Sequence, residues 1–354
     1  MVIEKDEARA VDFINCNASE GENTPLIDPF GRTITYLRMS VTDRCDLRCA
    51  YCMPEQMQFL PKADLLSLEE LERLIMLFIR RGVRKVRLTG GEPLVRKGIE
   101  KLIGNLGTQV KLGTLDEITL TTNGTQLAKH AQMLAKNGVK RVNVSLDTLD
   151  PAIFKKITRR AVLEDVLDGI EAAQSAGISI KINTVALKEY NGTNIPEMIE
   201  WAHARGIDMT LIEIMPMGEV DEDRFDQYLP LSAVRKQLEQ RWTLTPMALR
   251  TGGPSRYLRV EETGGTLGLI TPLTQNFCDG CNRVRLTCTG KLYLCLGQDN
   301  HVDFRMLMRS GADDCALDTM LDGAISGKPK GHEFAIKRLG SAPAVKRQMS
   351  VTGG

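Results

Sequence analysis

Short apolar runs alternate with segments of helical periodicity from about residue 36 onward. The runs are rich in β-branched and aliphatic residues and predict six strands, at 36–41, 85–89, 118–122, 141–146, 178–185 and 209–214. Between the first two strands, Ser67 and Glu70 have the spacing of a capping box, and Gly82 marks the end of the helix. The segment 162–176 has the same apolar pattern and predicts a further helix.

This alternation predicts parallel strands joined by right-handed crossovers, in either a doubly wound sheet or a barrel. Six units favour an α/β fold with an incomplete (β/α)6 TIM-like barrel over residues 31–216. After residue 216 the alternation stops, and Gly, Pro and short β runs predict a C-terminal α+β extension over 217–354. Residues 1–30 are polar and lack periodicity, so we predict a disordered segment there.

Unusual residues follow the predicted strands, in the order cysteine loop, TGGEP, TTNG, SLD and MPMG. In barrels the chemistry lies at the carboxyl ends of the strands, so these motifs should converge in space. Gly90 and Gly91 would let a ligand approach the backbone, and Glu92 offers a carboxylate to an ammonium group.

Composition narrows the class of protein. The 354 residues are 42% hydrophobic and 26% charged with a formal net charge of +1, which gives nucleic-acid binding no support. No apolar run reaches the roughly 18 residues of a membrane span, and the charged N-terminus lacks a signal-peptide core. We therefore predict a cytoplasmic protein without a membrane or nucleic-acid partner, whose nine cysteines indicate metal or redox chemistry.

The first cysteine group has the spacing C-x3-C-x2-C, at Cys45, Cys49 and Cys52, with no fourth cysteine nearby. Three thiolates can hold three irons of a [4Fe-4S] cluster and leave the fourth iron open for another ligand. The alternatives are a zinc site or incidental buried thiols. Zinc usually takes C-x2-C pairs and a fourth protein ligand, so the spacing favours the cluster.

The second group combines a C-x2-C pair with a later cysteine: Cys278, Cys281 and Cys295. The run RVRLTCTGKLYLCL predicts a β-hairpin that turns at 289–290 and places Cys295 opposite Arg283 or Val284. Cys288 would lie at the hairpin tip, roughly 15 Å away at about 3.3 Å per residue. Three ligands favour a second cluster with an open iron over a four-cysteine zinc ribbon. The isolated Cys16 and Cys315 are predicted to be ordinary thiols.

Two family resemblances rest on these motifs. The loop CDLRCAYC, with Tyr51 before its third cysteine, and the later GGEP resemble the radical S-adenosylmethionine superfamily. Together with FCDGCNRVRLT and the final Gly353–Gly354, the chain is similar to the GTP 3',8-cyclase family from about residue 30 onward. Enzymes of that family catalyse the first step of molybdenum cofactor biosynthesis.

The resemblance implies two [4Fe-4S] clusters and S-adenosylmethionine as cofactors. The first cluster would generate a 5'-deoxyadenosyl radical, and the open iron of the second would bind the guanine of GTP. The radical would take hydrogen from C3' of the ribose, and the carbon radical would attack C8. The product would be (8S)-3',8-cyclo-7,8-dihydroguanosine 5'-triphosphate, which makes the enzyme a lyase.

The resemblance also implies roles for individual residues. The cofactor contacts correspond to Tyr51, Gly91, Ser145 and Met215. The GTP contacts correspond to Arg38, Arg87, Thr121, Lys181, Arg283, Val284 and Arg285. The terminal Gly353 and Gly354 would reach into the active site. Thr210 departs from the family, because many relatives have an arginine at this point of the sixth strand.

The implied partners are GTP, a reductant such as flavodoxin or ferredoxin, and the cyclic pyranopterin monophosphate synthase that receives the product. The protein would be a monomer or a homodimer. Two other functions are open: a radical S-adenosylmethionine maturase that modifies peptides and carries an auxiliary cluster, or a zinc-ribbon protein that binds nucleic acid.

Overall fold

The computed structural model describes residues 24–160, 162–221, 224–274, 277–332, 334 and 345–353. Each of the six predicted runs forms a strand. These strands are β1 (Tyr36–Ser40), β2 (Lys85–Thr89), β3 (Glu117–Thr122), β4 (Arg141–Ser145), β5 (Ser179–Ala186) and β6 (Asp208–Glu213). They pair in parallel in chain order, as the crossover argument predicts.

Helices connect the strands. The larger ones are α1 (Leu68–Arg80), α2 (Ile99–Lys111), α3 (Leu127–Lys136), α4 (Pro151–Thr158), α5 (Leu163–Ser175) and α6 (Ile195–His203). The predicted capping box begins α1: the Ser67 hydroxyl accepts from the Glu70 N–H, and the Glu70 carboxylate accepts from the Ser67 N–H. The α1 face with Leu71, Leu74 and Phe78 is buried against the sheet.

The C-terminal part extends the same sheet at both ends. It contributes β7 (Leu244–Pro246), β8 (Arg256–Val260), β9 (Thr266–Ile270), β10 (Arg283–Leu286), β11 (Lys291–Tyr293) and β12 (His301–Asp303). Within the described chain the order is β12-β11-β10-β1-β2-β3-β4-β5-β6-β9-β8-β7, so β10 continues the sheet past β1 and β9 past β6. The sheet does not close, which confirms the incomplete barrel with an α+β extension.

The remaining helices belong to this extension. They are α7 (Arg224–Gln227), α8 (Leu231–Leu238), α9 (Phe304–Arg309), α10 (Asp314–Ser326) and α11 (Met349–Thr352). The guanidinium of Arg81, just after α1, pairs with Asp318 and Asp322 of α10 and attaches this helix to the barrel. None of the described helices combines the length and apolar character needed to cross a bilayer.

The ordered chain begins earlier than predicted. Leu26 is 1% exposed and packs in the main core, and the Asp28 carboxylate accepts hydrogen bonds from the Phe30 N–H and the Arg32 side chain. The prediction of disorder is therefore wrong for residues 24–30, because the buried Leu26 and the hydrogen bonds of Asp28 hold this segment in place. Residues 1–23 lie outside the described part of the chain.

Candidate active site

The first cysteine group lines a cavity at the carboxyl ends of the strands. Cys45, Cys49 and Cys52 share this cavity, which encloses about 1110 Å³ including its open mouth. Hydrogen bonds from the N–H groups of Arg48 and Ala50 to carbonyls at the end of α4 hold the cysteine loop, at 2.9 Å each. Burial raises the pKa of the Cys49 thiol and raises that of Cys52 to about 11.

The two glycines after β2 also let two stretches of backbone pack closely, in addition to lining the first cavity. A Cβ on Gly90 would lie 2.5 Å from the Thr42 carbonyl oxygen, and one on Gly91 would overlap the Arg44 carbonyl. The Gly91 N–H donates to Thr42 O at 2.9 Å, and the N–H of Glu92 donates to Arg44 O at 2.8 Å. Glycine is therefore required here because the backbone entering the cysteine loop passes directly against the end of β2.

The expectation that Glu92 meets an ammonium group is wrong. Its carboxylate is fully buried and accepts hydrogen bonds from the Thr122 hydroxyl (2.8 Å) and from the N–H groups of Asn123 (2.7 Å) and Leu94 (3.0 Å). Burial raises the pKa of Glu92 to about 7. The side chain thus ties the end of β2 to the end of β3 and positions the cavity wall.

This geometry predicts a large effect for a single methyl group. Gly91→Ala should lower the free energy of unfolding by about 2–3 kcal/mol, because the Arg44 carbonyl must move. Gly323→Ala is the matched control: it lies in α10 with nothing within 4 Å of the added Cβ and should be neutral or slightly stabilising. Urea unfolding of both variants tests this, and equal stability of the two would contradict the packing argument.

The predicted cofactor contacts lie together in the first cavity. Its lining includes Tyr51, Gly91, Ser145 and Met215. The Tyr51 hydroxyl donates to Asp147 Oδ2 at 2.7 Å, and the Val185 N–H donates to Oδ1 of the same carboxylate at 2.8 Å. Burial raises the pKa of Asp147 to about 6. Asp147, the last residue of the SLD motif, therefore holds the cysteine loop against β5, a function that the sequence did not assign.

The second cysteine group lines a neighbouring cavity. Cys278, Cys281 and Cys295 surround it, and it encloses about 1190 Å³ including its open mouth. β10 and β11 pair Arg285 with Tyr293 and Leu286 with Leu292, which confirms the predicted hairpin, and Cys295 lies two residues beyond the last paired residue. The buried Lys328 donates to the carbonyl oxygens of Arg283 (3.2 Å) and Leu294 (2.5 Å) and ties the two strands together.

The remaining cysteines lie outside both groups. Cys288 is fully buried, its carbonyl accepts from the Leu66 N–H at 2.8 Å, and its thiol faces Ser40 and Asp43. The prediction that Cys315 is an ordinary thiol is wrong, because it is disulfide-bonded. Cys16 lies outside the described residues.

Both cysteine groups suit a cluster better than a single ion. Within the described chain, no three His, Cys, Asp or Glu side chains are arranged to hold one metal ion. A zinc ion needs its ligands around one point, whereas each thiolate of a [4Fe-4S] cluster binds a different iron. Three thiols that are half-buried or buried and line an open cavity therefore suit a cluster with one iron free for another ligand.

The second cavity is strongly cationic. No Asp or Glu among the described residues lines it. Its lining includes six basic side chains, which are Arg38, Arg87, Arg141, Lys181, Arg283 and Arg285. The strand register makes Arg285, Arg38 and Arg87 direct neighbours on three adjacent strands. Like charges in adjacent cross-strand positions repel, so this row is arranged for an anionic ligand.

Electrostatics within the cavity agree with this interpretation. Burial and the neighbouring Arg285 hold the pKa of Arg38 well below its usual range, and burial together with Arg283 lowers that of Arg285 to about 10. Lys181 Nζ donates to the Tyr257 hydroxyl at 2.8 Å, and burial lowers its pKa. A bound polyanion would relieve the repulsion among these cations.

The two cavities adjoin. Four residues line both of them: Asn183, Ile212, Met215 and Met349. The C-terminal tail reaches this junction, because Arg285 Nη1 donates to the Gly353 carbonyl at 3.2 Å. Gly353 has φ of 74°, and a Cβ there would overlap the Thr89 hydroxyl, so only glycine fits. Gly354 lies outside the described residues.

Two residues predicted to bind GTP are not in the cationic cavity. Thr121 lines the first cavity and is linked to the second by Arg87, whose Nη1 lies 3.4 Å from its hydroxyl. Val284 is 1% exposed and packs in the core, because alternate residues of β10 face opposite sides. Thr210 lines the second cavity, and its hydroxyl has no hydrogen-bond partner among the described residues.

Several residues of this cavity were not predicted from the sequence. Arg141 and Asn143 share a face of β4 with Ser145, so the period of two along the strand could have revealed them. Tyr257 contacts Lys181 from the extension, 76 residues away. Its position depends on β9 pairing with β6, which no local pattern predicts.

An unclosed parallel barrel with a three-cysteine loop after β1 defines the class of radical S-adenosylmethionine enzymes. The family model "Radical SAM superfamily" matches residues 39–202, and "Molybdenum Cofactor Synthesis C" matches 207–334. Among solved structures, Streptococcus suis SuiB bound to S-adenosylmethionine has a TM-score of 0.57 at 16% identity, over 80% of this chain and 67% of that chain. At this identity, the similarity to SuiB shows a common fold only.

Curated relatives narrow the class further. A GTP 3',8-cyclase of Sinorhizobium medicae is 61% identical over 345 residues, which cover 98% of this chain and 99% of the relative. One from Brucella canis is 62% identical over 93% of this chain and 96% of its own. The chain belongs to the GTP 3',8-cyclase family.

Proposed function

We propose that this enzyme converts GTP into (8S)-3',8-cyclo-7,8-dihydroguanosine 5'-triphosphate, the first step of molybdenum cofactor biosynthesis. The observation that carries the proposal is the cavity with six basic side chains and no described acid, adjoining a cavity with three thiols. A triphosphate needs several fixed cations, and arginine supplies them as paired, charge-assisted hydrogen bonds.

As a radical S-adenosylmethionine enzyme, the protein uses a [4Fe-4S] cluster and S-adenosylmethionine. We assign the cluster to Cys45, Cys49 and Cys52, which line the first cavity. When bound, the cluster and S-adenosylmethionine supply a 5'-deoxyadenosyl radical there. We assign a second [4Fe-4S] cluster to Cys278, Cys281 and Cys295, next to which the guanine of GTP would lie.

The side chains then place the substrate between the two groups. Arg38, Arg87 and Arg285 form one row and would hold the phosphates, together with Lys181 of β5 in the same cavity. The ribose would occupy the junction, where the apolar side chains of Met215 and Met349 exclude water from a reactive radical. Tyr51, Gly91, Ser145 and Met215 would contact S-adenosylmethionine in the first cavity. Gly353 and Gly354 would close the site.

Further parts of the proposal concern the organisation of the protein and its partners. A boundary near residue 216 is supported by the end of β6 at Glu213, after which the regular parallel order stops. Seven of the described cysteines are free, which suits a cytoplasmic enzyme, and the disulfide-bonded Cys315 is the exception. A flavodoxin or ferredoxin would reduce it, and cyclic pyranopterin monophosphate synthase would take its product. We expect a monomer or homodimer.

Anaerobic reconstitution followed by incubation with dithionite, S-adenosylmethionine and GTP tests the proposal. We expect 5'-deoxyadenosine and the cyclised nucleotide in equal amounts, and no cyclised product from ATP. A peptide-modifying maturase would form no cyclised nucleotide from GTP. Failure of the reconstituted protein to form any nucleotide product from GTP would overturn the substrate assignment, and zinc without sulfide would support a ribbon instead.

A further inference from the structure

A basic cleft lies on the outer side of the first cysteine loop, separate from both cavities. Five cationic side chains line it: Arg44, Lys62, Arg96, Lys97 and Arg309. Among the described residues that line the cleft, Glu70 is the acidic one. Its carboxylate already pairs with Arg309 at 3.2 Å and accepts a hydrogen bond from the Ser67 N–H at 2.7 Å. The cleft therefore presents a net positive surface.

The cleft and the first cavity lie on two sides of the same loop. Arg44 lines the cleft, and the next residue, Cys45, lines the cavity, so their Cα atoms are about 3.8 Å apart. None of the described residues that line the cleft lines either cavity. The Asp43 carboxylate accepts from the Leu60 N–H at 2.7 Å and holds this stretch in place. The loop is thus a thin wall between the cleft and the first cysteine group.

Hydrogen bonds hold two of the five charges of the cleft in position. Arg96 Nη2 donates to the Leu66 carbonyl at 2.8 Å, and Arg309 Nη1 donates to the Ala63 carbonyl at 2.8 Å. Lys62 and Lys97 are exposed at the rim, and Val95, also part of the lining, is 36% exposed. Five cations around an apolar side chain, two of them fixed and all spread over four chain segments, suit an acidic protein surface better than one small anion.

We propose that the basic cleft docks an acidic one-electron carrier protein, containing a flavin or an iron-sulfur centre, that reduces the first cluster. The inference rests on the proposed function. The carrier is oxidised by one electron, and that electron is consumed when the carbon–sulfur bond of S-adenosylmethionine breaks to give methionine and the 5'-deoxyadenosyl radical. The C-terminal tail reaches the junction of the two cavities, whereas the cleft gives access to the cluster loop from outside.

Charge reversal at the rim tests the docking surface. Lys62→Glu/Lys97→Glu should raise the KM for reduced flavodoxin about tenfold in 5'-deoxyadenosine formation and weaken its dependence on ionic strength. The rate with dithionite, a small reductant, should stay unchanged. Lys111→Glu/Lys140→Glu is the matched control, because these exposed lysines lie at the amino-terminal end of the barrel. It should behave as the parent protein.

A second measurement uses the unaltered protein. Carbodiimide cross-linking with flavodoxin should join donor carboxylates to Lys62 or Lys97. The docking proposal is overturned if the cross-links map elsewhere, if the rim and control variants have equal KM values, or if inorganic phosphate binds the cleft without competing with flavodoxin. Loss of GTP cyclisation with dithionite in the parent protein would instead overturn the proposed function, so the two failures are distinguishable.

Discussion

Cys281→Ser is expected to abolish the cyclisation of GTP while 5'-deoxyadenosine continues to form, whereas Cys49→Ser should abolish both reactions. The physical reason is that the two cysteines line different cavities, which share only their junction among the described residues. The first cavity can cleave S-adenosylmethionine without the second, but the guanine then loses its proposed anchor. Chromatography of 5'-deoxyadenosine and of the cyclised nucleotide, after anaerobic reaction with dithionite, measures the two reactions separately. The iron content should fall from about eight to about four per chain in either variant.

Cys288→Ser is the matched control for this prediction. It is more deeply buried than most cysteines of the two groups, and its thiol faces Ser40 and Asp43, away from both cavities. The variant should keep its full iron content and both products. If Cys288→Ser loses half of its iron, or if Cys281→Ser stops cleaving S-adenosylmethionine, the division of the cysteines into two independent groups is incorrect.

The barrel could be predicted because its strands and helices have different periods. Runs such as KVRLT and RVNVSL are apolar on alternate positions and short, whereas α1 repeats its apolar residues at helical spacing. The order of these elements then fixes a parallel sheet. The way the extension joins the sheet could not be predicted. β9 and β10 pair with opposite ends of the barrel sheet, and these pairs join residues that are far apart in the chain.

The candidate site was only partly predictable for the same reason. Cys45, Cys49 and Cys52 are close in sequence, so their spacing alone identifies them. Glu92 was misinterpreted because its partners at Thr122 and Asn123 lie about 30 residues later, and a sequence does not show whether a carboxylate meets a ligand or the backbone. Val284 was implied by the family resemblance, but the period of two along β10 places its side chain in the core.

Arg285→Met is expected to change stability and ligand binding in opposite directions. Arg285 lies between Arg38 and Arg283, whose charges repel its own in the ligand-free protein. An apolar side chain of similar length removes this repulsion and should raise the free energy of unfolding without ligand by about 1 kcal/mol. The same change removes a fixed cation from the anion site and should raise the Kd for GTP about 100-fold, since hydrogen bonds to charged groups contribute about 1.5–3 kcal/mol.

Urea unfolding and calorimetric titration with GTP, in the absence of S-adenosylmethionine, measure the two effects. Arg235→Met is the control, because this exposed arginine pairs only locally with Glu239 among the described residues and should change neither quantity. A variant at Arg285 that loses stability and affinity together would mean that its hydrogen bond to Gly353 holds the fold. Opposite signs would mean that the buried guanidinium is unfavourable without its ligand and favourable with it, which is how a site arranged for a polyanion differs from a surface patch of charge.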